Sequence, residues 1–431
     1  MLNSEYLLHY IWKFRLYPNG SLTTSDGARV EVIDPGIHNH DAGPDFFNSK
    51  IKVGDELWAG NVEIHNSSSD WVRHGHHQDK SYNSVILHVS QDINAEVKNQ
   101  NGESIPQCRI TIPDNLKTNA DYLLSSSSRI PCKEMIMSLD KTLLHSWMDS
   151  LAIERLERKS NYVYELLERF QNSWDDVFYV LLSRSFGFGI NSEEFERLAL
   201  SLPLKYILKH RDNLLHVEAL LFGQAGLLEE EALMGDSDET IEYYSSLKRE
   251  YDFLKSKYQL RGLESFVFKK MRIRPRSFPE VRIAQLAALL YKHGRLFSQL
   301  LNVGDDNGKY YDYFKISASK YWDTHSSFSG KSVNSRKVLG KSSIDIILIN
   351  TVVPILFAYG NYTKNEEYYN RSLKILESIR AEKNYITKEF AEGGLDSRTA
   401  FESQALIQLK KEYCDKKKCF YCRIGFKLLT V

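Results

Sequence analysis

The chain has 431 residues, 42% hydrophobic and 26% charged, which is enough for two or three domains of ordinary globular composition. Fifty-six basic side chains balance fifty-six acidic ones, so no global field attracts nucleic acid and any such attraction must come from local patches. No basic segment followed by an apolar run stands at the amino terminus, and the five cysteines are odd in number. Both point to a reducing compartment and predict a cytoplasmic protein.

The first predicted element is a helix over 4–16, with Leu7, Tyr10, Ile11 and Phe14 at helical spacing, ended by Pro18-Asn19-Gly20. Alternation then predicts strands over 29–34, 46–53 and 56–65, the last two joined by a tight Gly54-Asp55 turn. A short helix is expected over 71–77, and strands over 84–90 and 108–112. From about Cys132 the period changes to that of helices. One long helix follows Leu143 to Phe170, Asn191-Ser-Glu-Glu caps another, and more follow to Tyr413. The serine-rich stretch 123–129 is the predicted linker. The expected architecture is an α/β domain over 1–120, a mixed sheet flanked by helices, followed by an all-helical domain over 131–431. The most apolar window, 344–359, has 16 residues and includes Asp345, Asn350 and Pro354. A bilayer span needs about 20 apolar residues, so this segment is expected to be a buried helix and no membrane partner is expected.

The chemistry concentrates between Gly43 and His65. Asp45 follows Gly-Pro, and Glu63 and His65 share one face of a strand. Carboxylates on adjacent strands suit a hard divalent cation, magnesium or manganese. Register decides whether they meet. A two-residue turn places Asp45 opposite Ile64, on the wrong face, whereas a one-residue bulge or a three-residue loop places it opposite Glu63 or His65. The metal site therefore requires an irregularity in the hairpin or a bend at Gly43-Pro44.

A helix bearing an early acid, then Pro-Asp and, 18 residues later, Glu-x-His, resembles the PD-(D/E)xK nuclease superfamily. The resemblance implies a restriction-endonuclease-like fold, with Asp45 and Glu63 as magnesium ligands and Glu5 as a helix-borne acid. His65 stands where that family has lysine. A histidine serves as a base near neutral pH, and Lys50 is the other candidate for the role. Gly-Pro-Asp-Phe (43–46), Gly-Asn-Val-Glu-Ile-His (60–65), Ser-Asp-Trp (69–71) and Ile-Leu-His-Val (86–89) resemble a family of unknown function, DUF2851. Phe-Gly-Gln-Ala-Gly (222–226) and Arg-Ile-Arg-Pro-Arg-Ser-Phe-Pro (272–279) extend that resemblance over most of the chain. It implies no activity.

Eight of the thirteen histidines lie in the first 88 residues: His9, His38, His40, His65, His74, His76, His77 and His88. The tract His74-Gly-His76-His77 followed by Asp79 has the composition of a metal-binding segment, or of polar residues lining the same cleft. Cys414, Cys419 and Cys422 form a second cluster. Thiolates so spaced share a zinc ion or an iron–sulfur cluster given a fourth ligand, for which Cys132 is the first candidate and Cys108 the next. Buried free thiols are the alternative. Some nucleases of the superfamily above clamp the far end of the chain to the nuclease domain with such a cluster.

Two basic runs, Lys269–Arg282 and Lys410–Lys427, contain the candidates for phosphate contact: Arg272, Arg274, Arg276, Lys417 and Lys418. No P-loop, dinucleotide fingerprint or serine-hydrolase elbow is present, so no nucleotide cofactor is expected. The expected function is a magnesium-dependent phosphodiesterase acting on DNA or RNA. The alternative is a catalytically inactive scaffold that binds nucleic acid or protein.

Overall fold

Helical spacing at the amino terminus builds α1 (Ser4–Phe14), which buries Leu7, Leu8, Ile11 and Trp12. The structure is a computed structural model and describes residues 4–18, 20–39, 41–228, 237–294, 296–304 and 307–430. Six strands form one mixed sheet: β1 (Val30–Asp34), β2 (Ile37–His38), β3 (Phe46–Val53), β4 (Glu56–Ser67), β5 (Val85–Asp92) and β6 (Gln107–Arg109). Their order is β1-β3-β4-β5-β6, with β2 also paired to β3. The pairs up to β4 are antiparallel, and β5 and β6 continue in parallel. The parallel crossover from β4 to β5 carries α2 (Asp70–Arg73) and then 3-10 turns at His76–Gln78 and Lys80–Ser84. The helix expected over 71–77 is thus one α turn followed by tighter turns.

The β3–β4 hairpin keeps its two-residue turn, with Val53 facing Glu56. The register does not run through to its far end: Ser49 pairs with Gly60 but Phe46 pairs with Val62. One extra residue therefore sits in β3, a bulge centred on Asn48, whose φ is 55°. Asparagine tolerates this left-handed conformation, and the Asn61 carboxamide oxygen accepts the Asn48 N–H at 3.1 Å. Gly36, at φ 87°, lies directly over the bulge. A Cβ there would stand 2.5 Å from the Phe47 carbonyl oxygen and 2.6 Å from Ser49 Oγ.

The chain divides into two compact units. The first comprises Met1–Met148, Lys388–Asp396 and Ile407–Val431, and the second comprises Asp149–Thr387 and Ser397–Leu406. The expected split at the serine-rich stretch lies elsewhere. Helix α3 (Asp114–Ser125) runs into that stretch, and the division falls inside the long helix α4 (Lys141–Arg169). The carboxyl-terminal segment returns to the sheet unit, where Phe420 and Phe426 pack on Tyr10, and Phe426 on Phe14, with ring centroids 4.9–6.1 Å apart.

The second unit is largely helical. Its segment Lys341–Thr363 is long and apolar enough to cross a membrane by length and composition, yet 72% of its most apolar window is buried within the protein. Pro354 lacks an N–H and crowds the preceding turn; the widened π turn Leu348–Val352 accommodates it without breaking the helix. Asn191 precedes the helix Ser192–Ser201 as expected but does not cap it with its side chain. Its carboxamide instead bonds the backbone N–H and carbonyl of Lys269, each at 2.8 Å.

Candidate functional site

The bulge decides the site. Downstream of it, the β3 residues shift by one against β4, which brings Asp45 opposite Glu63 on the strand's polar face. The two are locked reciprocally: Glu63 Oε2 accepts the Asp45 N–H at 3.0 Å and Asp45 Oδ2 accepts the Ile64 N–H at 2.9 Å. Asn39 holds the approach to Asp45, its carboxamide donating to the carbonyls of Asp41, Ala42 and Pro44 at 3.0–3.2 Å. Its backbone N–H donates to the Asp45 carbonyl at 2.7 Å.

Histidines close around these carboxylates. His9 lies one helical turn beyond Glu5 on α1 and brings Nε2 to 3.3 Å from Asp45 Oδ2. Glu63 Oε1 faces His76 Nε2 at 3.1 Å and His65 Nε2 at 3.5 Å. His74 Nδ1 is 3.2 Å from that same His65 nitrogen. The ligand atoms of His65, His74 and His76 all lie within 4.8 Å of one another. On its other side, His65 Nδ1 meets His88 Nε2 at 2.9 Å. With Nδ1–H donating to His88, the His65 Nε2 lone pair is left facing the cluster. Aromatic rings fix the imidazoles: Tyr82 stacks on His76 at 3.8 Å, and Trp71 stands edge-on to His76 and His88 at 5.3 and 5.5 Å.

Burial dominates the electrostatics. It raises the Glu63 carboxyl well above the carboxylate range, and the Asp45 charge adds to the effect. Glu5 is raised by burial, tempered by His9. His65 is pushed down to about 2 by burial and by neighbouring histidines, and His88 to about 4. The 3.5 Å approach of His65 to Glu63 is therefore not an ion pair, because the imidazole is neutral, the form in which it ligates a metal. Burial also opposes a charge on His9, but the Asp45 carboxylate outweighs it and the net shift is upward.

These donors fit a divalent cation. The donor atoms of His65, His74 and His76 lie within 4.8 Å of one another, and Glu63 Oε1 stands beside that trio, 3.5 Å from His65 Nε2 and 3.1 Å from His76 Nε2. A tetrahedral ion with bonds of about 2.0–2.1 Å sets its ligands about 3.4 Å apart. Imidazole suits manganese, iron or zinc better than magnesium, which would draw on the carboxylates alone.

Of the residues expected from the sequence, Asp45, Glu63, His65 and Glu5 converge here. Lys50 does not. It pairs opposite Ala59, four residues before Glu63, or roughly 13 Å along the strand, and its side chain is exposed. His40 lies outside the described residues. Arg272, Arg274 and Arg276 are exposed in the second unit. Their neighbours are engaged: Lys269 with Glu194 at 3.7 Å, Lys270 with Glu280, and Arg282 over the Phe188 ring at 4.0 Å. Lys417 donates to the Leu124 carbonyl at 2.7 Å, and Lys418 is exposed. Sequence reasoning gave no role to Asn39, Trp71 or Tyr82, and their work is long-range support without a local motif.

Searches among curated proteins and among solved structures each found no match. A family model described as "Protein of unknown function (DUF2851)" matches residues 5–385, which is most of the chain. The resemblance read from the short motifs therefore holds over residues 5–385, and the chain belongs to the DUF2851 family.

Proposed function

We propose that the first unit is a metal-dependent phosphodiester hydrolase acting on DNA or RNA, built on a restriction-endonuclease-like sheet. The observation that carries this reading is the bulge at Asn48, which sets Asp45 against Glu63 beside three convergent imidazoles. His65, His74 and His76 would hold the cation, with the Glu63 carboxylate beside them and Asp45 opposite Glu63 across the strands. When bound, such an ion neutralises a phosphoryl oxygen and makes water a nucleophile near neutral pH. His9, whose proton affinity the Asp45 carboxylate raises, is placed to give a proton to a leaving oxygen. His88 fixes the ring of His65.

Support for a nucleic-acid substrate comes from the cavity next to His9. It is lined by Tyr6, Tyr10, Phe14, His38, Phe420 and Tyr421 together with Lys13. Tyr6, Phe14 and Tyr421 are exposed there. Aromatic faces with a lysine suit stacked bases and their phosphates.

The test is cleavage of plasmid and single-stranded oligonucleotides with manganese, magnesium or zinc, and in excess chelator. Asp45→Asn and Glu63→Gln should each lower the rate by roughly 100-fold or more. Undiminished cleavage by both variants would assign the activity to a contaminant. A second reading, a non-catalytic nucleic-acid-binding scaffold, is favoured by one observation: Asp45 Oδ2 and Glu63 Oε2 are both committed to backbone amides. Salt-sensitive binding without cleavage is its signature.

A further inference from the structure

Four of the five cysteines meet at one place in the first unit. Cys132, just beyond α3, and Cys414, Cys419 and Cys422, nearly 300 residues later, line a single cavity. Leu123, Pro131, Leu409, Tyr413 and Gly425 complete its wall, so the surroundings of the sulfurs are apolar. All four are free thiols, as is Cys108, which is buried on β6 and does not line the cavity.

The backbone is shaped to present these sulfurs. The helix that begins at Ala400 widens into a π turn, Leu409–Cys414, at the point where Cys414 enters the wall. Such turns put one extra residue into a helix and re-aim its side chains. Lys417, at φ 48°, reverses the chain so that Cys419 and Cys422 come back to the same cavity. Gly425 seals the loop: a Cβ there would stand 2.1 Å from the Cys419 carbonyl oxygen, so only glycine lets the terminal helix Arg423–Leu429 sit this close.

We propose that Cys132, Cys414, Cys419 and Cys422 are the ligands of a thiolate-bound metal centre, an iron–sulfur cluster rather than a single zinc ion. Two considerations select the cluster. A tetrahedral zinc with Zn–S bonds of about 2.3 Å draws its sulfurs to about 3.8 Å of one another. Among the described residues, the trio of ligand atoms gathered within 4.8 Å is the histidine one, and the four sulfurs line one pocket without closing to that distance. Several irons spread their thiolates further apart than one ion does.

The charge distribution fits as well. A cluster with four thiolates is anionic, and the segment that carries three of them holds Lys410, Lys411, Lys416, Lys417, Lys418 and Arg423. Lys410 is itself buried and pairs with Asp415, Lys416 pairs with Glu412, and Lys417 is tied to the Leu124 carbonyl close to the cavity wall. The basic run thus has a reason within the protein. The centre would join the Cys132 loop to the terminal segment, whose Phe420 and Phe426 support α1, the helix bearing Glu5 and His9.

The experiment is anaerobic purification of the full chain, with absorbance near 400 nm and assays of iron, acid-labile sulfide and zinc. Expected are iron and sulfide in equal amounts with a broad charge-transfer band, lost in Cys414→Ser and Cys132→Ser and retained in Cys108→Ala. If those serine variants fail to fold by circular dichroism, Cys419→Ser, at a partly buried position, decides in their place. Stoichiometric zinc without sulfide would overturn the cluster. Absence of both metals, even after reconstitution with ferrous iron and sulfide, would overturn the site. Each readout is independent of cleavage activity, so failure here leaves the carboxylate–histidine reading standing.

Discussion

Two single residues make opposite demands on the fold. Glu218 is buried in the helical unit, with Oε2 accepting from the Tyr243 hydroxyl at 3.0 Å, and burial pushes its carboxyl up to about 7 from an ordinary 4.5. The native state therefore holds a proton that the unfolded chain releases at lower pH. The associated stability is complete below about 4.5, falls as pH rises and is gone above about 7, a loss of roughly 3 kcal/mol. Glu218→Gln should match the parent near pH 4.5 and exceed it at pH 8 by up to that amount, read from urea unfolding at both pH values. Gly36 acts through what it lacks. Gly36→Ala forces a Cβ into the Phe47 carbonyl at a positive φ, at a cost of about 1–3 kcal/mol. Because the displaced residues are those of the bulge, the variant should also weaken manganese binding by isothermal titration. Lowered stability with metal affinity unchanged would show that the bulge does not set the site.

Elements of the fold were legible wherever local rules decide them. The long helix α4, the two-residue Gly54–Asp55 turn and the strand β4 all follow from residues near in sequence, although β4 is buried on both faces from Val62 to His65 rather than alternating. The bulge is different. Its need was evident, since a regular hairpin puts Asp45 and Glu63 on opposite faces, but its position depends on Gly36, Ser49 and Asn61 meeting across two strands and a loop. The histidines divide in the same way. Their density was visible, and Glu5 with His9 at helical spacing was readable as one face of α1. Their convergence needed the parallel crossover, which lays β5 beside β4 and brings His88 level with Glu63. Asn191 shows a local signal overridden: a good capping residue spends its side chain on Lys269, 78 positions away.

At the scale of the molecule, the sheet unit is assembled from separated parts of the chain. The terminal segment supplies Phe420, Ile424, Leu428 and Leu429, each under a tenth exposed. Buried side chains of this kind contribute about 1.5–3 kcal/mol each, so together they rival the whole stability of a typical domain. The Leu428 carbonyl also accepts from the Asn119 carboxamide at 3.1 Å. A chain ending at Leu406 should therefore lose protection of the first unit in limited proteolysis while fragments of the helical unit persist. Equal protection of both units would show that the terminal segment is dispensable. This discontinuity has a consequence in time. A ribosome releases the strands first and the residues that complete their unit last, so the sheet must wait, incompletely covered, while some 240 helical residues are made. The helical unit has nearly all of its own chain before then, and the first part synthesised is the last able to finish folding.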